Sequence, residues 1–312
     1  MATRLAVREH ARFDVVGFGF NTDDRLCVVE RLPGADTKQR LMHSYRQPGG
    51  QVPTALVALQ RWGLTTAYVG PLGDDEGGER QRASLRHEGV DVRGTRLRVG
   101  VGSHTSVILI DAVSGARTVL WDRPAELALR ADELDHDLLA AGRVLLMDAD
   151  DCQTAIRAAE WARAAGVMVV LDVDAVEPRT ADLLRLTDVV IVSDGFPQRF
   201  TGSTDVRAAL RRMARLGPTL VGVTLGAGGA LVYRDGSFHH VAAPAVPVVD
   251  TTSAGDLFHA GCIYGLLQRW DLPAVLRFAA AAAALECTRL GGRAAIPSLA
   301  AAQALATLND AR

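Results

Sequence analysis

Val144-Leu-Leu-Met147, the amphipathic run Cys152 to Ala165, and Val167-Met-Val-Val-Leu-Asp172 follow one another closely, and together they decide the fold. Both short runs are apolar at nearly every position, as strands covered on both faces must be, and the run between them repeats apolar residues at helical spacing. This is a β-α-β unit with parallel strands. Asp188-Val-Val-Ile-Val192, a helical stretch from Thr204 to Leu216, and Thr219 to Thr224 repeat the pattern. Towards the N-terminus, Asp14-Val-Val-Gly-Phe-Gly-Phe20 reads as a first strand. Val52 to Trp62 reads as a helix stopped by Gly63, and Thr65 to Gly70 as the next strand. The C-terminal part reads as three helices: Ala254 to Trp270, Pro273 to Arg289, and one from Ser298. The expected architecture is a single α/β domain over residues 1–312, a mostly parallel central sheet flanked by helices in three layers.

Two segments break this rhythm. Arg25-Leu-Cys-Val-Val-Glu30 and Leu41-Met-His-Ser-Tyr-Arg46 read as antiparallel strands, as do Thr105 to Asp111 and Arg117 to Trp121 around the turn Ser114-Gly115. Antiparallel strands fit poorly inside a parallel core. They are therefore assigned to a small β-sheet lid, inserted at about residues 22–48 and 96–123 and covering a site.

Composition narrows the chemistry. With 34 basic against 36 acidic residues among 312, and a net charge of −2, the chain lacks the basic footprint of a nucleic-acid binder. No apolar run approaches membrane-spanning length; the longest, Phe278 to Leu285, is mostly alanine. Arg8, Glu9, His10 and Arg12 interrupt any signal-peptide core, so the expected location is the cytoplasm. The four cysteines lie far apart without a Cys-x-x-Cys pair, which points to neither disulfides nor zinc. Lys38 is the only lysine, and no glycine loop precedes it. A phosphate site in this chain must therefore be built from backbone N–H groups and arginine.

Asp250-Thr-Thr-Ser-Ala-Gly-Asp256-Leu-Phe-His-Ala-Gly261 has the form of such a site. Ser253, Ala254 and Gly255 are small, so a ligand can approach the backbone at the start of an apolar helix. The first amides of a helix lack intrahelical acceptors and carry the positive end of its dipole. Together they make an anion site. Asp256 falls in the first turn, where a carboxylate can take a proton from a bound hydroxyl. A plain N-capping turn on a buried helix is the structural alternative.

This dodecapeptide resembles the C-terminal signature of the ribokinase family, the phosphofructokinase B-type carbohydrate kinases, in the form D-T-x-x-A-G-D-x-F. Pro48-Gly-Gly-Gln-Val-Pro-Thr-Ala55 with Tyr68-Val-Gly-Pro-Leu-Gly-Asp-Asp-Glu-Gly77 resembles the N-terminal signature. Val223-Thr-Leu-Gly-Ala-Gly-Gly-Ala-Leu-Val232 is similar to the nucleotide-binding turn. The matches run in family order from about residue 14 to 297. The resemblance implies a ribokinase-like fold and an ATP-dependent, Mg²⁺-assisted kinase acting on a hydroxymethyl group of a small sugar. Asp256 would be the base and the backbone of Ser253, Ala254 and Gly255 the anion hole. Asp24, Gly49, Gly50, Gln51 and Thr54 would meet the sugar. Thr224, Gly226 and Gly229, with Ser193 and Asp194, would lie along ATP. Carbonyls of Thr252, Glu286, Gly291 and Ala295, with the Asp250 carboxylate nearby, would hold a monovalent cation such as K⁺. Pairing of lids in this family implies a homodimer.

The departures also matter. The family's N-x-x-E motif is replaced by Ser193-Asp-Gly-Phe196, so both of its polar residues are missing. Gln51 and Thr54 stand where ribokinases proper carry Lys and Asn, which argues against ribose. Ser114-Gly-Ala-Arg-Thr-Val-Leu-Trp-Asp-Arg123 resembles the lid hairpin of ketohexokinase-like members. It directs the reading toward a keto-sugar or sugar acid, with Arg117 or Arg123 to meet an anionic group. Three other readings compete. A nucleoside kinase would need an aromatic platform, for which Tyr45 and Trp121 are the candidates. A sugar or nucleotide sensor could follow from the lost N-x-x-E. A dinucleotide enzyme is suggested by Gly17-Phe-Gly19, although the third glycine of that fingerprint is absent.

Overall fold

The computed structural model describes Leu5 and residues 7–308. Its strands are β1 (Phe13–Phe18), β2 (Thr22–Val29), β3 (His43–Gly49), β4 (Thr66–Gly73), β5 (Asp91–Arg98), β6 (Thr105–Asp111), β7 (Arg117–Asp122), β8 (Gly142–Met147), β9 (Met168–Val173), β10 (Val189–Ser193), β11 (Leu220–Thr224), β12 (Ala230–Arg234) and β13 (Ser237–Val241). Nine of them form one sheet in the order β13-β12-β11-β10-β9-β8-β1-β4-β5. Every pairing from β5 to β11 is parallel, and the β11-β12-β13 edge is antiparallel.

Alternation along the central strands feeds two cores. Val144, Leu146, Val170, Val189 and Ile191 pack on one face with the helices Gln51–Arg61, Ala254–Leu267 and Leu272–Glu286. Leu145, Met147, Val169, Leu171, Val190 and Val192 pack on the other with Cys152–Ala164 and Val206–Ala214. Both faces are covered, which is why these strands read as continuous apolar runs. Helix Ala254–Leu267 is buried along almost its whole length. Gly261 lets it touch its neighbour: a Cβ there would stand 2.5 Å from the Ala279 Cα. Among the described residues, no helix is long and apolar enough to cross a membrane.

The remaining strands form a second sheet, β3-β2-β6-β7. β2 pairs antiparallel with β3, and β6 with β7, as the two interrupting segments suggest. The join between these hairpins differs from expectation, because β2 and β6 run parallel, Asp24 beside Ser106 and Leu26 beside Ile108. Asp91–Arg98 belongs to the edge of the large sheet, so the second hairpin of the small sheet begins at Thr105. Leu26, Val28, Ile108 and Ile110 give this sheet a small core of its own, with Tyr45 and Leu290 against it.

Candidate active site

The two sheets meet around the start of helix Ala254–Leu267. Ser253 is its N-cap and adopts a left-handed backbone, φ +68°. This turns the chain so that the next amides point out of the helix end. A Cβ placed on Gly255 would meet nothing, so the approach to those amides is open. Asp256 is buried in the first turn. Burial, and next the neighbouring Asp172 carboxylate, push its pKa up to about 8; the Ser253 hydroxyl, His259 and Arg117 pull the other way. A carboxyl poised near neutrality can accept a proton under working conditions and yet be a strong enough base to matter.

Asp250 organises the loop before this helix. Its Oδ1 accepts the Thr252 amide at 2.8 Å and its Oδ2 the Gly291 amide at 2.9 Å. Glu286 is fully buried, its carboxyl held well above the usual range by burial and by Asp250. Neither of its oxygens has a nitrogen or oxygen partner, and the Thr252 hydroxyl is also unpartnered. Ala295 ends the short helix Gly292–Ala295, its amide donating to the Gly291 carbonyl at 2.9 Å. Buried oxygens left unsatisfied in one neighbourhood fit a cation. The unpartnered oxygens observed here are the Glu286 carboxyl and the Thr252 hydroxyl, chemically fit for a monovalent ion.

The residues expected to meet the sugar gather beneath the small sheet. Gln47, Asp24, Ser106 and Trp121 stand in one row across its four strands. A Cβ on Gly49 would overlap the Asp24 carboxylate, so glycine is required there. Asp24 is buried, which raises its pKa; the Thr22 and Ser106 hydroxyls and the Arg293 charge work against that rise. Its Oδ1 has no partner, an acceptor left for a ligand hydroxyl. Gly50 is left-handed (φ +92°) and caps helix Gln51–Arg61. Gln51 opens that helix, and Thr54, buried within it, keeps an unpartnered hydroxyl. Phe20, His104 and Trp121 form an aromatic file, with ring centroids 5.0 and 5.8 Å apart.

Arg117 reaches from β7 to the loop before helix Ala254–Leu267, Nη1 donating to Thr251 Oγ1 at 2.9 Å. Arg123 is occupied by Asp150 and Asp151 at 3.0 and 2.9 Å. Among the residues expected to meet ATP, Ser193 at the end of β10 lies beside Thr224 in register, and the Thr224 hydroxyl donates to the Val192 carbonyl at 3.4 Å. The exposed Asp194 accepts the Gly195 amide at 2.8 Å. Gly226 (φ +54°) and Gly229 (φ +83°) shape the turn into β12.

Several residues of this site carry no motif of their own. Arg293 is buried; its Nη2 donates to Gly49 O at 2.7 Å and to Asn21 Oδ1 at 3.1 Å, and its Nη1 to Ser84 Oγ at 3.1 Å. Asp172 and His259 lie behind Asp256. The Gly17 and Gly19 pair has a packing explanation: side chains there would strike Leu56 and Val52, or Asp148. Those glycines admit a helix, not a dinucleotide.

Comparison with known proteins places the chain in one family. The family model described as pfkB family carbohydrate kinase matches residues 14–299. Fructokinase-1 of Zea mays is 32% identical over 317 residues, covering 91% of this chain and 94% of that protein. Ribokinase of Haemophilus influenzae is 28% identical over 267 residues, covering 80% and 84%. The structure of Arabidopsis thaliana ribokinase complexed with ribose and ATP superposes with a TM-score of 0.80 at 24% identity, covering 94% of this chain and 98% of that one. That last likeness speaks for the fold alone.

Proposed function

The chain belongs to the pfkB family of carbohydrate kinases, and from that premise we infer that it transfers the γ-phosphoryl of ATP to a hydroxymethyl group of a small sugar, a keto-sugar or sugar acid. The observation that carries this reading is Asp256, a buried carboxyl whose burial raises its pKa to about 8, in the first turn of a helix whose start is open at Gly255. Asp24 and the Gly49-Gly50 turn orient the sugar. Asp256 takes the proton of the attacking hydroxyl as the bond to phosphorus forms, and the amides of Ser253, Ala254 and Gly255 stabilise charge on the transferring group. When bound, Mg²⁺ would neutralise the ATP phosphates. Asp194 and Ser193 are the polar side chains at the position of the missing N-x-x-E, and Thr224, Gly226 and Gly229 line the nucleotide. The lid excludes water, which limits wasteful hydrolysis.

The nucleoside-kinase reading fares worse. Tyr45 and Trp121 stand on β3 and β7, the two edge strands of the lid, too far apart in the sheet to stack on one base. A homodimer through the lid is supported by Val107 and Leu120, a register pair exposing both apolar side chains on the outer face. Sedimentation of the wild type beside Leu120→Asp tests that reading.

The deciding experiment measures ADP release with Mg-ATP and K⁺ across pentoses, hexoses, keto-sugars, sugar acids and nucleosides, with Asp256→Asn alongside. Turnover with one sugar, abolished in the variant, is the expected result. Turnover that survives in Asp256→Asn would overturn the assigned base, and replacing K⁺ by tetramethylammonium tests the cation.

A further inference from the structure

His259 sits one turn into the helix that carries Asp256, almost fully buried, and neither of its ring nitrogens is idle. Nδ1 lies 2.9 Å from the Gly255 carbonyl and Nε2 lies 3.0 Å from the Ile191 carbonyl. Asp172, at the end of β9, brings Oδ2 to 3.4 Å from Nδ1. One side chain thus ties the anion-hole residue Gly255 to β10, with a carboxyl of β9 behind it. A histidine that merely filled core space would not need both nitrogens facing oxygen, since a leucine fills that volume without burying polar atoms.

We propose that His259 is a positioning residue for phosphoryl transfer: its ring fixes the first turn of helix Ala254–Leu267 against β9 and β10, holding the anion-hole amides and Asp256 at the cleft. The proposal rests on the kinase reading for its consequence and on hydrogen-bond geometry for its cause. Carbonyls only accept, so both bonds exist together when both ring nitrogens carry protons. Burial opposes a lone charge on the ring and raises Asp172. The pair is electrically neutral with the shared proton on either partner: on Nδ1 it lets the ring donate to both carbonyls, and on Asp172, the side both shifts favour, the ring donates to one of them. The other charged groups close by are Asp256 on the same helix and Asp174 beyond Asp172, with Glu286, Arg117 and Arg293 acting on Asp256 from the cleft side. None of them offers a second tie between this turn and the sheet.

Three substitutions separate the two bonds. His259→Asn keeps an amide N–H where Nδ1 stands, His259→Gln keeps one near Nε2, and His259→Leu removes both. In the Leu variant, amide exchange at Leu257 to His259 should quicken by about tenfold or more, with the far end of the helix unchanged. Its kcat should fall by about tenfold to a hundredfold, with KM for ATP within about threefold of wild type. Asn should recover most of that kcat and Gln little of it, because the tie to Gly255 is the one nearest the chemistry. Unchanged exchange in the Leu variant, or an Asn variant no more active than Leu, would overturn the proposal. If the Leu variant does not fold, the Asn and Gln pair decides. A wild type that turns over no sugar would sink the kinase reading, yet the exchange comparison would still judge His259.

Discussion

Arg293 Nη2 donates to the Gly49 carbonyl at 2.7 Å, joining the short helix Gly292–Ala295 to the end of β3 across 244 residues of chain. The guanidinium is buried, pulled down to about 10 by that burial, and remains charged at neutral pH beside the buried Asp24. Each charge makes the other tolerable. Arg293→Met should cost about 3 kcal/mol of stability by stranding Asp24. It should also raise KM for the sugar about tenfold while leaving KM for ATP nearly unchanged. Thermal unfolding and two-substrate kinetics check this; equal loss for both substrates would show the effect to be global.

Asp256 should set the acid limb of the pH profile. The base must be ionised, so kcat/KM should rise with pH through about 8 and level off above it. Its stability effect has the opposite sign. A carboxyl with pKa near 8 folded and an ordinary value unfolded holds more protons in the folded state, so stability falls as pH rises through that window. Asp256→Asn mimics the protonated acid. It should abolish turnover yet unfold at a higher temperature than wild type, by a margin that grows from pH 5 to pH 8. A margin independent of pH would contradict the raised pKa.

Ser253 occupies a left-handed position at φ +68° that glycine adopts more easily, and its hydroxyl lowers the Asp256 pKa. Ser253→Gly should gain about 1 kcal/mol from relieved backbone strain. The acid limb should move to higher pH as that hydrogen bond is lost. Denaturant titration and the pH profile read the two effects separately.

Arg117 latches the lid to Thr251 beside the anion loop. Arg117→Met should lower sugar-dependent turnover about tenfold and raise the fraction of ATP hydrolysed without sugar. Stability should change by less than about 1 kcal/mol, because the contact is exposed. Comparing ADP with sugar phosphate produced is the measurement, and unchanged coupling would free Arg117 of this role.

Most of the large sheet was legible because its strands carry their own signal. Val144 to Met147 and Val189 to Val192 are buried on both faces and read as such. The Asp250 to Gly261 stretch was legible for a different reason: anion hole and base lie within one helical turn, so their spacing is local. Arg293, His259 and Asp172 were not legible as partners. Their roles come from contacts across 244, 68 and 87 positions, and side chains carry no local pattern that announces such pairings. The parallel join of β2 to β6 escaped for a related reason. Each hairpin is visible alone, but their relative direction is set by the core that separates them.

That join bears on how the molecule comes to exist. β2 and β6 sit side by side although helix Gln51–Arg61 and strands β4 and β5 intervene in the chain. A parallel pair needs its crossover built first, and here the crossover includes two of the nine strands of the main sheet with their helices. The lid therefore cannot be cut out and refolded as a small module, nor can it precede the floor it covers. On the ribosome, residues 22–49 must wait for the stretch through Asp111 to emerge before their central partner exists. Until then one side of β2 is an open edge.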